Sequence, residues 1–278
     1  MTTITLPNEL NIGNLQPVQI FDYHSLKEIT KQQIILNQNT FSFLIEGNKE
    51  VVFDNSTLSI DNSKFLIMKS GHCLMTEKLS DIRNYRSLLL FFSNETLLKF
   101  IRKNELNRTE LNEYKSAYSF KYDEFIKRFV NSLLDISKLS KNIQKRILEV
   151  KFEEIILYLT EIYGTEFLHS LSEKSNDTSQ KFVQIVETNW MSKLTLKELA
   201  FLCNLSVSTF KREFEKHYAE SPIKWFQNKR LEYAHHLLHK EQKSSSEIYL
   251  EIGYENLSSF IHAYKTKYGI TPKQHHKD

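Results

Sequence analysis

Proline and glycine are scarce in this 278-residue chain: four prolines (Pro7, Pro17, Pro222, Pro272) and six glycines. Long stretches therefore carry no strong break, which favours helix. Cysteine is scarcer still. Cys73 and Cys203 are too few for a disulfide framework or a thiolate metal site, and both stand in apolar surroundings, so they read as small core residues. No apolar run approaches the ~20 residues that a membrane-spanning helix needs. The opening "MTTITLPNELNIGN" has no basic stretch ahead of an apolar core, which argues against a secretory signal and for the cytoplasm. Charge of one sign is lacking too: the net charge is only +3.

What is present is an ordinary globular composition, 40% hydrophobic and 26% charged, at a length that suggests two domains. The charge is unevenly spread. From Thr178 to Asp278 there are 15 Lys+Arg against 11 Asp+Glu, while the remainder holds 22 against 23. Seven of the ten histidines also fall in the last hundred residues. A mildly basic C-terminal part on a neutral N-terminal part fits a nucleic-acid module joined to another domain.

The N-terminal part reads as β. "VQIFDY", "FSFLIEG", "KEVVFD", "STLSID" and "KFLIMKSG" are short apolar or alternating runs separated by turn signals, and "RSLLLFF" is one more buried strand. Such spacing predicts a small sandwich or barrel. After Ser93 the period changes to 3.6, with helices expected near Asn94, from about Tyr122 and across Ile143 to Leu159. The apolar stripes Phe125/Phe129/Leu133 and Ile147/Leu148/Ile155/Leu159 exceed what one small sheet needs, which predicts a homodimer through these helices. Ser170 to Gln180, "SLSEKSNDTSQ", is polar and reads as a linker.

Beyond it the chain is helical. "LTLKELAFLCNLSVSTFKREFEKHY" reads as two short helices with a tight turn at Asn204 and an N-cap at Ser206. Pro222 after Ser221 opens a longer helix. "SSSEIYLEIGYENLSSFIHAYKTKYG" then repeats the helix-turn-helix layout, with a short helix over Glu247–Ile252, a turn at "GYEN", and Leu257 to Tyr268 as the second helix. Ser206 and Asn256 begin the two candidate reading helices, 50 residues apart. The first exposes Ser208, Thr209, Lys211, Arg212 and Lys216, side chains that reach base edges or phosphates. Arg212 is the best candidate for a bidentate guanine contact. Lys224, Lys229 and Lys267 are candidate phosphate contacts.

The pieces "LTLKELAFLCNLSVSTFKREFEKHYAESPIKWFQNKRLEYAHHLLHK" and "SSSEIYLEIGYENLSSFIHAYKTKYGITPKQ" resemble the DNA-binding domain of AraC-family transcriptional regulators over about 100 residues. "FLIEGNKEVVFDNSTLSIDNSKFLIMKSGHCLMTEK" is similar to the cupin-like regulatory domains of the group that activates virulence and type III secretion genes. The resemblance implies a two-domain chain. A mostly β, cupin-like regulatory and dimerisation domain with helices occupies 1–169. A linker covers 170–180. An all-α DNA-binding domain with two helix-turn-helix units joined by a helix covers 181–278. It implies promoter DNA and RNA polymerase as partners, and a small ligand or a regulatory protein at the N-terminal domain. Asn256, Leu257, Ser258, Ile261, His262 and Lys265 occupy positions resembling the second reader's contacts. That set is poor in base readers, so the first reader is expected to carry most of the specificity. Tyr249 stands where the family usually has Ala, so the second unit is expected to sit differently.

Other chemistries read weakly. His235, His236 and His239 have no converging ligand and suit a solvated helix face; His72 is the lone histidine of the main β segment, and the tail "KQHHKD" reads as a frayed end. No metal or cofactor is expected. Neither cysteine has the basic, exposed setting of a reactive thiol, so no enzyme activity is expected. An architectural protein that only bends DNA is the remaining alternative.

Overall fold

A computed structural model describes residues 2–10, 16–54, 56–106, 115–172, 178–241 and 243–275. The chain divides into two compact units, Met1–Thr178 and Ser179–Asp278.

Among its described residues the first unit contains ten strands: β1 (Ile4–Leu6), β2 (Val18–Ser25), β3 (Ile29–Leu36), β4 (Asn39–Glu46), β5 (Asn48–Val52), β6 (Thr57–Ile60), β7 (Lys64–Met68), β8 (Gly71–Lys78), β9 (Tyr85–Phe92) and β10 (Ala117–Lys121). They form two five-stranded sheets, ordered β1-β3-β8-β5-β6 and β10-β7-β4-β9-β2. β1 pairs with β3 in parallel, and the other pairs among these strands are antiparallel. Ile34, Val51 and Met75 of the first sheet share one buried cluster with Leu44, Leu66 and Met68 of the second, so the sheets pack face to face as a sandwich.

The other face of the second sheet is covered by helices α1 (Asn94–Lys103), α2 (Glu124–Ser137), α3 (Lys141–Tyr163) and α4 (Glu166–Ser172). Ser93 and Asp123 cap α1 and α2, accepting from Thr96 N–H (3.1 Å) and Ile126 N–H (2.8 Å). Phe43 meets Phe129 of α2 at 5.9 Å and Phe92 meets Phe152 of α3 at 4.8 Å between ring centroids. Because this sheet is buried on both faces, β9 is apolar at six of its eight positions, and β4 is buried from Asn39 to Leu44, its polar Asn39, Thr40 and Ser42 included.

Four strands go beyond the sequence reading. In β3 the left-handed Lys31 (φ 48°) and a register shift between Ile29 and Gln32 break the alternation. In β8 the inward series Cys73, Met75, Glu77 ends in a buried carboxylate. β1 and β10 are only three and five residues long. The segment read as linker is helical at both ends: Ser170 and Leu171 are buried in α4, and α5 (Thr178–Thr188) begins by Thr178. Residues 173–177 lie outside the described ones.

In the second unit, α5 is followed by α6 (Leu196–Leu202), α7 (Val207–Tyr218), α8 (Pro222–His239), α9 (Ser245–Ile248), α10 (Leu257–Tyr268) and α11 (Pro272–His275). A capping box at Thr195/Glu198 starts α6 and another at Ser244/Glu247 starts α9. The second box shifts α9 to an earlier start than the apolar pattern predicts. The helix also stops early, at Ile248, and residues 249–253 are turns leading to the left-handed Gly253 (φ 85°). Tyr249 is the C-cap and packs, half-buried, on the core around Leu237, Ile252 and Phe260. The bulk that replaces the family's small residue is thus accommodated at the end of a shortened helix.

Candidate nucleic-acid interface

The two helix pairs repeat at the level of backbone conformation. Asn204 (φ 56°) turns the first pair and Gly253 the second. The left-handed C-caps are Ala219 (φ 51°) and Gly269 (φ 80°), and Pro222 and Pro272 open the helices that follow. Non-glycine residues at Asn204 and Ala219 accept a conformation that L side chains disfavour, and Asn tolerates it best.

α7 is placed by an aromatic core. Phe214 lies 5.8 Å from Phe210, 4.5 Å from Tyr218, 5.5 Å from Trp225 and 5.8 Å from Phe226, centroid to centroid. Phe182 of α5 closes the cluster at 5.2 Å from Phe210. With Phe210 and Phe214 turned inward, Ser208, Lys211, Arg212 and Lys216 come out on the exposed side. Val207, the apolar first residue of α7, is exposed. Arg212 is 68% exposed, with the Glu213 carboxylate 3.9 Å from its Nε. Lys216 is paired with Glu213 at 2.8 Å. This hydrogen bond is the main reason the Glu213 carboxyl titrates below its usual range. Ser206 is engaged as the cap, accepting from Thr209 N–H at 3.1 Å, and its hydroxyl is 2.9 Å from those of Ser208 and Thr209.

α10 is built on Phe260 and Tyr264, both buried. Asn256 caps it, accepting from Ser259 N–H at 2.8 Å. Ser258, His262 and Lys265 are exposed. Leu257 is half-buried and packs on the core of this half, which takes it partly away from a contact role; Ile261 is also half-buried.

The expected phosphate contacts divide. Lys224 is exposed beside Glu220 at 3.1 Å, and Lys229 lies over the Trp225 ring at 5.3 Å. Lys267 departs from the expectation. It is only 23% exposed and is held by Glu232 at 3.0 Å and the Asn228 carbonyl at 2.9 Å, so it is a strut between α10 and α8. His235 also departs from a solvated face: its Nδ1 is 2.9 Å from the buried Tyr264 hydroxyl and its ring stacks on Tyr268 at 5.0 Å. Residues 276–278 of the tail are outside the described ones.

Cys73 is wholly buried, and burial pushes its thiol up to about 12, which makes it inert. Cys203 caps α6 half-exposed instead of lying on its inner face. Among the described residues no group of three or more His, Cys, Asp or Glu converges on a metal position, and no helix is long and apolar enough to cross a membrane.

Comparison with known proteins assigns both parts. Residues 39–171 match the ExsA N-terminal regulatory domain and residues 199–278 a helix-turn-helix domain. The thermoregulatory protein LcrF of Yersinia pestis and the virulence regulon activator VirF of Yersinia enterocolitica are each 31% identical over 127 residues, covering 45% of this chain and 47% of theirs. The chain thus spans about half the length of these relatives. The transcriptional regulator ExsA of Pseudomonas aeruginosa is 23% identical over 237 residues, 83% of either chain. Among solved structures, ToxT of Vibrio cholerae aligns over 94% of this chain and 98% of its own, at 14% identity and a TM-score of 0.42.

Proposed function

We propose, for a chain that belongs to the AraC family of transcriptional regulators, that it activates transcription by setting α7 and α10 into successive major-groove segments of promoter DNA, under control of its first unit. The observation that carries this reading is the duplicated, capped helix pair with a cationic exposed face on α7. The 18 residues of α8 span ~27 Å at ~1.5 Å per residue. That is close to the ~34 Å between successive major-groove segments on one face of DNA. Arg212 is assigned a bidentate guanine contact, with Ser208 and Thr209 beside it. Lys211, Lys216, Lys224, Lys229 and Lys265 are assigned to phosphates; the surface pairs of Lys216 and Lys224 are weak enough to be exchanged for them. Ser258, His262 and the half-buried Ile261 leave the second reader with weak base discrimination, so it adds affinity more than specificity.

The test is binding of the full chain to fragments of its own genome. Affinity should fall steeply with salt as counterions are released. Arg212→Ala should cost ~1–3 kcal/mol and relax preference at one base pair. An equal loss on every sequence reduces Arg212 to a phosphate contact, and binding to random DNA as tight as to promoters favours the architectural alternative.

The first unit is proposed to take the signal, a small ligand or a regulatory protein, to pair with a second copy, and to act with RNA polymerase in the cytoplasm. The surface for pairing differs from the one the periodicity suggests. Phe129, Leu133, Leu148, Ile155 and Leu159 are used up covering the second sheet. Of the apolar side chains that α3 leaves exposed, Ile143, Val150 and Leu157 stand seven residues apart, with Val150 67% exposed; Ile162 and Tyr163 are exposed at its C-terminal end. Seven-residue spacing keeps these three side chains on one face of the helix, as one of the two apolar positions of a pairing helix does. Val150→Glu with Leu157→Glu should convert a dimer to a monomer in sedimentation at tens of micromolar without changing the far-ultraviolet circular dichroism. A wild-type chain that sediments as a monomer rejects this surface.

A further inference from the structure

The second unit contains a cavity of about 360 Å³ that the DNA-reading function does not use. Its floor is α8, contributing Ile223, Phe226, Gln227 and Arg230. One wall is the α5–α6 connection and α6, with Ser192, Leu194, Leu196 and Leu199; the other is the turn of the second helix pair, Gly253 and Tyr254. The volume lies at the lower end of the range for small-molecule sites, ~300–1,000 Å³. The lining is divided: leucines, Ile223 and Phe226 make an apolar body, and Arg230, Gln227, Ser192 and Tyr254 gather as a polar group.

Arg230 gives the site its chemistry. Its Nη2 donates to the Ser192 carbonyl at 3.2 Å. Its Nε is shut off from solvent and donates to nothing, and among the described residues no carboxylate pairs with it. Arg230 is half-buried, and its idle buried Nε donor is an unfavourable feature that a charge-complementary occupant beside the guanidinium helps to offset. Gly253 leaves the guanidinium face open. A Cβ there would stand 3.4 Å from Nη1, and the left-handed φ already disfavours any other residue. Ile223, 69% exposed at the start of α8, is a large apolar side chain with no core to cover, which suits the rim of a ligand site.

We propose that this cavity binds a small organic carboxylate with an apolar body, the carboxylate on Arg230 and the body against Leu196, Leu199 and Phe226. The occupant touches the first helix pair, the connecting helix and the turn of the second pair at once. It therefore favours one relative setting of α7 and α10 and is coupled to DNA binding, with reciprocal effects. That coupling rests on the DNA-reading function proposed above; the binding does not.

The test uses the full chain, with 4-phenylbutanoate as probe and 4-phenylbutan-1-ol as its uncharged counterpart, by isothermal titration calorimetry without DNA. The acid should bind in the millimolar range or tighter and the alcohol at least ~10-fold more weakly, the size expected for a hydrogen bond to a charged group. Arg230→Gln should weaken the acid by a similar factor. Because Arg230 also anchors Ser192, the second variant is Ile223→Trp, an exposed position where bulk fills the rim without disturbing the core. It should weaken the acid at least ~10-fold with the unfolding temperature unchanged. Equal binding of acid and alcohol overturns the proposal, as does undetectable binding of the acid or binding that Ile223→Trp leaves intact. In a separate titration on promoter DNA, saturating acid should change affinity at least ~5-fold. Binding without such a change removes the coupling and keeps the site, whereas absence of DNA binding in the acid-free chain counts against the reading function and not the site.

Discussion

Lys49→Met is expected to destabilise the first unit by about 3–5 kcal/mol, the usual cost of breaking a buried ion pair by removing one partner. Lys49 is 2% exposed in the sandwich interior. It stands opposite Glu77 in the β5–β8 register, with Nζ 3.3 Å from Oε1. It also donates to Ser42 Oγ at 3.0 Å, and that hydroxyl lies 2.9 Å from Ser87 Oγ, so one ammonium ties both sheets together. Methionine fills the same volume, so the loss is electrostatic: Glu77 is left charged and unpaired in a core. Burial first, and the Glu77 carboxylate second, already raise the Tyr85 phenol next to it. The double variant Lys49→Met/Glu77→Leu should recover most of the loss, since an apolar pair of similar volume needs no compensation. Both tryptophans, Trp190 and Trp225, lie in the second unit. Hydrogen exchange on β5 and β8 peptides in a urea series is therefore the suitable readout. A single variant that loses less than about 1 kcal/mol, or a double variant no better than the single, refutes this account.

Phe214→Ala should cost about 3–5 kcal/mol in the second unit, the range for deleting a buried aromatic ring. Phe214 is fully buried and its ring contacts link α5, α7 and α8. A domain's whole stability is ~5–15 kcal/mol, so the first reader should be partly unfolded at physiological temperature and sequence-specific binding lost with it. Trp225, edge-on to Phe214 at 5.5 Å, reports the change by fluorescence. Phe214→Leu should retain more than half of the stability lost by the alanine variant. A loss below about 1.5 kcal/mol would mean that the neighbouring rings collapse into the void.

The second half was legible because its signals are local. Ser206 and Asn256 cap helices through bonds spanning three residues; Asn204 and Gly253 turn the chain through their own backbone angles. Arg212 faces out because Phe210 and Phe214 face in, and helical spacing fixes that relation once the core face is recognised. α9 shows where this fails. The apolar pattern and the capping box disagreed about its start, and the hydrogen bonds of Ser244 and Glu247 prevailed. Arg230 stood inside a familiar run of residues, with nothing in that run to say that its Nε would end without a partner beside a cavity.

By itself the sequence determined most element types, the duplicated helix pair and the outward set on α7, since each depends on residues within a turn or two of one another. Only the tertiary structure decided which of α3's stripes is core. Helical periodicity says that Leu148, Ile155 and Leu159 share a side and that Ile143, Val150 and Leu157 share another. Which side is buried depends on a sheet whose strands, β10 apart, end at Phe92 or earlier, far back along the chain from α3. The same holds for Lys49 and Glu77. Alternation in β5 and β8 places each on a face, but a charge becomes tolerable there only when a distant strand brings the opposite charge within 3.3 Å.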